Sequence, residues 1–372
     1  MSLDTLRTEE FQVNMGPHHP STHGVCRLLL TMNGEQVVKV DPIIGFLHRS
    51  IEKICENRTY TQCIPILDRF EYVTAMSANY VFALAAEKVG QIEVPERAEY
   101  IRVIMLELNR IASHLLFYGV TAMDIGALTP FLYGLREREL IIDLFEMTCG
   151  QRLTYNYIRV GGVSKDLPDT FVPKCREAMK IISEKMSDYE GLLNENPIWK
   201  VRNVGIGAMP AEDMIAYGVS GPVLRAGGVD YDIRRDDPYS IYDRFDFNIP
   251  THPNGDCYDR YLQRLAEIKE SIKIVNQALD GLPEGDFKAK VNPITWKPPA
   301  GEAYARIENS RGEMGCYIVS DGTTKPLRVK TRGGSYNQLQ ALPAMVDGKG
   351  YLVADLVAIF ASLDVIMPEV DR

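Results

Sequence analysis

Between residues 258 and 279 the apolar side chains Tyr258, Leu262, Leu265, Ile268, Ile272, Val275 and Leu279 recur at near-heptad spacing. Such a stripe occupies one face of an α-helix and must be covered by another apolar face. Asp280-Gly281 closes the segment, with Pro283 beyond it, as a helix end requires. Other segments repeat the pattern. Ile101, Ile104, Leu108, Ile111 and Leu115 mark one face of a long helix, with Pro95 suited to its first turn. Met179, Ile182, Met186, Tyr189 and Leu193 mark another within 176–194. Residues 50–58, 66–88 and 134–157 carry helical spacing as well. A chain of 372 residues, 45% hydrophobic, can bury all these faces in one large core, or in a main domain with a smaller appendage.

Strands are expected at two places. Residues 24–32 and 35–44 flank Asn33-Gly34, a pair that adopts the positive φ of a tight hairpin turn. Residues 304–332 read as strands with turns at Ser310-Arg311-Gly312 and Asp321-Gly322, and 352–363 as a last helix. Residues 230–256 and 282–303 mix prolines, acids and aromatics without a period, which predicts long surface wraps. The expected fold class is α+β, mainly α: a large helical bundle with small β-sheet elements at the N- and C-terminal ends. Residues 1–48 supply the N-terminal loop and hairpin region. Residues 49–281 supply the bundle, including the irregular wrap 230–256. Residues 282–372 supply the proline-rich connection, a small β region and the C-terminal helix and tail.

The formal charge of -9 and pI near 5.3 argue against a general nucleic-acid binder. The opening MSLDTLRTEEFQ is too polar for a secretory signal. The apolar run from Tyr351 to Met367 is interrupted by Asp355 and Asp364 and is too short to span a bilayer. A chain soluble by itself, able to lie against a membrane protein, is expected. Seven cysteines are scattered without a C-x-x-C pair, which points to reduced thiols on the cytosolic side and most of them buried. Neither G-x-G-x-x-G after a strand nor G-x-x-x-x-G-K-[ST] occurs, so no dinucleotide or ATP site is expected in this chain.

Residues 14–24 read NMGPHHPSTHG. His19 and His23 could share a metal only on a helix, and Gly16, Pro17, Pro20 and Gly24 oppose a helix there. The prolines stiffen the loop, and a stiff loop can aim one imidazole at a ligand. Asp124, in MDIGALTPF, is either a cap for the next element or a buried acid that needs a partner. Tyr72, in DRFEY, is placed on the helix after Pro65. It serves either as half-buried packing or as a phenol donating into an apolar cavity.

The stretches NMGPHHPSTHG, GFLHRSIEKICENRTYTQ, DRFEY, PERAEYIRVIMLELNRIASHLL, MDIGALTPF, RERELI, YIRVGGV, SGPVLRAGGVDYDIRR, SIKIVNQAL, RGEMGCYIVSDG and EVDR, in this order, resemble the D subunits of the proton-pumping NADH–quinone oxidoreductases (respiratory complex I). The resemblance runs from about residue 11 to residue 372. It implies a fold like the nickel–iron hydrogenase large subunit. In those proteins two C-x-x-C pairs hold the metals. Here Cys63 stands alone at the first position and no cysteine follows Cys316, so hydrogenase chemistry lacks its thiolates.

The resemblance implies a quinone head, ubiquinone or menaquinone, between His19 and Tyr72, with Asp124 behind the histidine. Imidazolium and phenol can stabilise and protonate the basic oxygens of a reduced quinone. A carboxylate bonded to the imidazole keeps it protonated before turnover. It further implies electrons from an iron–sulfur cluster in a neighbouring subunit, with Arg49 close to that cluster. Without the family, Arg49 reads as a helix-terminal salt bridge. Expected partners are the B subunit, which holds the cluster, the C and I subunits, and the membrane-embedded H subunit, at the cytoplasmic face of the cell membrane. Three positions depart from the common pattern: His18 where Gln is frequent, Thr154 where a titratable histidine is frequent, and Pro368 where Gly is frequent. Alternatives are the equivalent subunit of a ferredoxin- or deazaflavin-dependent quinone or phenazine oxidoreductase, and a non-catalytic scaffold.

Overall fold

The computed structural model describes residues 9–18 and 25–372. The N-terminal hairpin is present as β2 (Arg27–Asn33) and β3 (Gln36–Ile43), and a third strand, β1 (Glu10–Met15), pairs antiparallel with β2. Leu28, Leu30 and Met32 face inward on β2, and Val37 and Val40 on β3. Every side chain from Glu10 to Asn14 is exposed, and Phe11, Val13 and Met15 alternate with polar residues as a strand requires, a signal that the sequence reading passed over.

The helices then follow: α1 (Ile51–Glu56), α2 (Tyr60–Leu67), α3 (Ala75–Gly90), α4 (Glu96–Asp124) and α5 (Leu128–Cys149). The two-stranded β4 (Ile158–Arg159) and β5 (Gly162–Val163) precede α6 (Phe171–Leu193), α7 (Pro197–Asn203), α8 (Ala211–Ala216), α9 (Pro222–Arg225), α10 (Ile233–Asp236) and α11 (Cys257–Asp280). A second antiparallel sheet, β6 (Gly301–Asn309), β7 (Gly312–Ser320) and β8 (Arg328–Arg332), leads to α12 (Gly334–Val346), α13 (Val353–Leu363) and α14 (Met367–Asp371). The mainly helical α+β class read from the stripes is the class observed.

Helix α4 is the axis. It packs on α3, α5, α11 and α13, and its length and apolarity would allow a membrane crossing, yet its most apolar window is 89% buried within the fold. A Cβ on Gly134 of α5 would stand 2.7 Å from the Leu115 carbonyl oxygen of α4, so glycine sets how closely these two helices cross. Around α4 the main core joins α1–α6, α11 and the inner faces of β6–β8. A second core joins β2 and β3 to α12–α14 and residues 209–224. The seven cysteines are free, and six of them are buried.

Several local expectations are corrected. The helix expected over 134–157 ends at Cys149, and the stretch 230–256 is no surface wrap, since it contains α10 and buries Ile233, Arg234 and Tyr242. Residues 66–88 are not one helix: α2 ends at Leu67, with Pro65 inside it, and α3 begins only at Ala75. The break is held by side chains from α4, since Asn109 donates to the Val73 carbonyl (3.0 Å) and accepts from the Met76 amide (3.2 Å). Such a tertiary clamp leaves no local periodic mark. Residues 334–346, between the last strand and the expected final helix, form a further helix, α12.

Candidate functional site

Tyr72 therefore lies in the break between α2 and α3, not on a helix. Its side chain is 37% exposed while its neighbours Glu71 and Val73 are buried. Glu71 accepts a hydrogen bond from the Thr74 amide (2.8 Å), which satisfies a donor ahead of α3. The same carboxylate meets Asn309 Nδ2 (3.4 Å) and Arg311 Nη1 (3.4 Å).

These last two residues come from the turn that joins β6 to β7. Glu308, Asn309, Ser310 and Arg311 are each at most 2% exposed, so a polar turn is driven into the centre of the molecule. Arg311 donates to the Asp364 carbonyl (2.8 Å) and to its carboxylate (3.1 Å). Gln338 of α12 donates to the Arg311 carbonyl (2.8 Å), and a Cβ on Gly334 would stand 2.3 Å from that same oxygen. Asn309 accepts from Thr74 Oγ1 (2.8 Å), and Ser310 meets Ser113 of α4 (3.1 Å). Buried polar side chains require such partners, and each residue of this set has at least one.

The electrostatics follow from this packing. Burial raises the Tyr72 phenol above its ordinary range; Arg311 opposes that rise, and Glu71 and Asp364 add to it. Burial pushes the Glu71 carboxyl up to about 7 against the pull of Arg311. Glu369 of α14 is also raised by burial and is held by the Gly334 and Ser335 amides (3.1 and 3.2 Å). A partly exposed tyrosine thus stands on a buried set of three carboxylates and one guanidinium.

The turn also opens onto a larger network. Glu308 accepts from Arg225 (2.9 Å), and Arg225 reaches Glu267 (2.9 Å), which pairs with His114 Nε2 (3.0 Å). Glu107 on α4 takes Arg234 (3.1 Å), Tyr242 (2.7 Å) and Ser271 (2.7 Å). Burial drives His114 down to about 4, so it is neutral at ordinary pH.

The other expected residues fall as follows. Asp124 is the last residue of α4 and is half-buried; the N-cap of α5 is Ala127, so Asp124 is not a cap for that helix. A carboxylate at a helix C-terminus faces the negative end of the dipole. Arg49, two residues before α1, is exposed and forms no ion pair among the described residues, so the helix-terminal salt bridge is not made. The last residues hold its segment: Asp371 accepts from the Gly45 (2.8 Å) and Leu47 (2.6 Å) amides, and its carbonyl meets His48 Nδ1 (2.8 Å). Pro368 occupies the first turn of α14, where a missing amide proton is harmless. Thr154 has φ 55° and lines a hollow of about 420 Å³ with Pro65, Arg69, Cys149 and Arg159. His18 is exposed. His19 and His23 lie outside the described residues. Among the described residues, no group of three or more His, Cys, Asp or Glu is arranged to hold a metal.

Glu71, Arg311 and Asp364 were not singled out by sequence. Their pairing spans 240 and 53 residues, and no local pattern reports it. The signal within reach was the polar run Glu308–Arg311, which ends β6 and turns into β7 between strands that are otherwise apolar on their inner face.

Comparison with known proteins agrees with this architecture. A family model described as "Respiratory-chain NADH dehydrogenase, 49 Kd subunit" matches residues 124–298 and 295–372. A protein of Dehalococcoides mccartyi is 52% identical over 368 residues, covering 99% of this chain and 100% of its own length. One from Desulforamulus reducens is 50% identical over 367 residues, with 99% and 100% coverage, and one from Bacillus anthracis is 50% identical over 367, with 98% and 100%. All three are named as the D subunit of an NADH-quinone oxidoreductase. With likeness of this depth along the whole chain, the protein belongs to the family of the 49 kDa, or D, subunits of respiratory NADH–quinone oxidoreductases.

Proposed function

We propose that this chain supplies the quinone-reducing site of a proton-translocating NADH–quinone oxidoreductase. Electrons come from an iron–sulfur cluster held by a neighbouring subunit. His19 and Tyr72 meet the two carbonyls of the quinone head, and Asp124 stands behind the histidine. Reduction adds two electrons and two protons, and a phenol and an imidazolium are suited to give the protons. The observation that carries the reading is the placement of Tyr72: a partly exposed side chain in a helix break, beside the paired side chains of Glu71 and Arg311.

Loss of a proton from the His19–Asp124 pair leaves net negative charge, which can drive a rearrangement passed to the membrane arm. Arg49, exposed on its clasped segment, is suited to face the neighbour's cluster and favour its reduced form. Thr154 cannot titrate, so the cluster potential is expected to vary little with pH, and a T154H variant to vary more. That pattern suits a low-potential quinone such as menaquinone. The partners would be the B, C, I and H subunits, with the chain peripheral at the cytoplasmic face of the membrane.

The test is quinone reductase activity of the assembled complex carrying H19A or Y72F. Rates should fall by roughly two orders of magnitude while the clusters remain reducible by NADH. Wild-type rates in both variants would remove the reading.

A further inference from the structure

Among the described residues, Glu71 is the one carboxylate that touches both the segment bearing Tyr72, at the Thr74 amide, and the Arg311 guanidinium, and nothing in the reaction described above uses it. Its surroundings are unusual for a structural acid. From the β6–β7 turn it faces Arg311 at 3.4 Å and Asn309 at 3.4 Å. From the start of α3 it faces the Thr74 amide at 2.8 Å. From α14 it faces the Glu369 carboxylate, and from the loop after α5 the Tyr155 hydroxyl. Arg311 is shared: its second donor goes to Asp364 (3.1 Å), so one cation serves two carboxylates beside one phenol.

We infer that Glu71 is a positioning residue for the Tyr72 proton: when Glu71 is neutral the phenol releases its proton readily to a reduced ring oxygen, and when Glu71 is ionised the proton is held back. This rests on the reading that Tyr72 serves the quinone.

Charge balance at short range among these buried groups sets the phenol's behaviour. With both carboxylates ionised, the trio of Glu71, Arg311 and Asp364 is net negative, and a phenolate beside it is disfavoured. Protonation of Glu71 removes one negative charge from this set, which also includes Glu369, and leaves Arg311 freer to stabilise the developing phenolate. Glu369 makes the switch usable, because a second carboxylate behind Glu71 raises its proton affinity. Burial brings the Glu71 titration to about 7, inside the range over which a respiratory enzyme works. No atom leaves Glu71 in this step; the proton that reaches the quinone oxygen is that of the Tyr72 hydroxyl.

The experiment is the pH profile of quinone reduction by the assembled complex, normalised to reducible cluster. The native rate should fall about fivefold between about pH 6 and about pH 8.5 as Glu71 ionises. E71Q, which is fixed in the neutral state, should reduce that ratio to below about twofold. An E71Q profile with the native alkaline limb overturns the inference. If E71Q does not assemble, E71D decides: a limb displaced along the pH axis supports the role, and an unmoved limb refutes it. Y72F separates the two levels. Native rates in Y72F remove the quinone reading itself, whereas a slow Y72F with a native limb in E71Q removes only the role of Glu71.

Discussion

Tyr72 stands on a segment whose neighbours are buried and paired, whereas β1, which leads toward the His-rich loop, exposes every side chain from Glu10 to Asn14 and has one hydrogen-bonded neighbour strand. Phe11 and Val13 of β1 are 48% and 42% exposed. The phenol side is fixed by contacts that this chain makes with itself, some of them 240 residues apart. Among the described residues β1 is an edge strand carrying apolar groups, a surface that other chains can complete. One segment is thus held by the chain's own interior, and the other is left open at the edge of a sheet.

That contrast can be broken most directly at Arg311. R311M leaves Glu71 and Asp364 buried without their cation and should destabilise the chain by about 3–5 kcal/mol, read from denaturant unfolding. A loss below about 1 kcal/mol would show that the phenol side is not rigid in the way described. A second test is pH. His114 titrates near 4 in the fold against an ordinary 6.5, so the unfolded chain binds the extra proton first. Stability should drop as pH falls from about 6.5 to about 4, by at most about 3 kcal/mol, and H114N should remove that slope. A third is G334A, which drives a Cβ toward the Arg311 carbonyl and should cost about 1–3 kcal/mol by shifting the turn. The smallest effect is expected on β1: F11S should change stability by less than about 0.5 kcal/mol. Amides of β1 should also exchange with solvent faster than those of β7, measured by hydrogen exchange.

Stripes that recur along one helix were legible from sequence. The reading of 258–279 fits α11, and that of 101–115 fits α4, because periodicity is a local property and burial follows it. Tyr72 was misplaced because the apolar residues from Ile66 onward continue through the break, and the clamp that stops the helix comes from Asn109 on another element. The β6–β7 turn was recognised as a turn at Ser310-Arg311-Gly312, but turn chemistry alone does not say whether a turn faces water or the core. Its burial follows from partners on α4 and α9 and from Thr74 and Asp364 at the ends of α3 and α13, which only the folded chain brings together. Asp124 shows the same limit: sequence left cap and buried acid open, and the helix boundary removed the first.

The clasp between Asp371 and the amides of Gly45 and Leu47 joins segments made 326 and 324 residues apart. At a synthesis rate of about 5–20 residues per second, the segment bearing Arg49 waits roughly fifteen seconds to a minute on the ribosome before its clasp exists. Any assembly step that recognises this segment in its ordered form is thereby postponed until translation has passed Asp371.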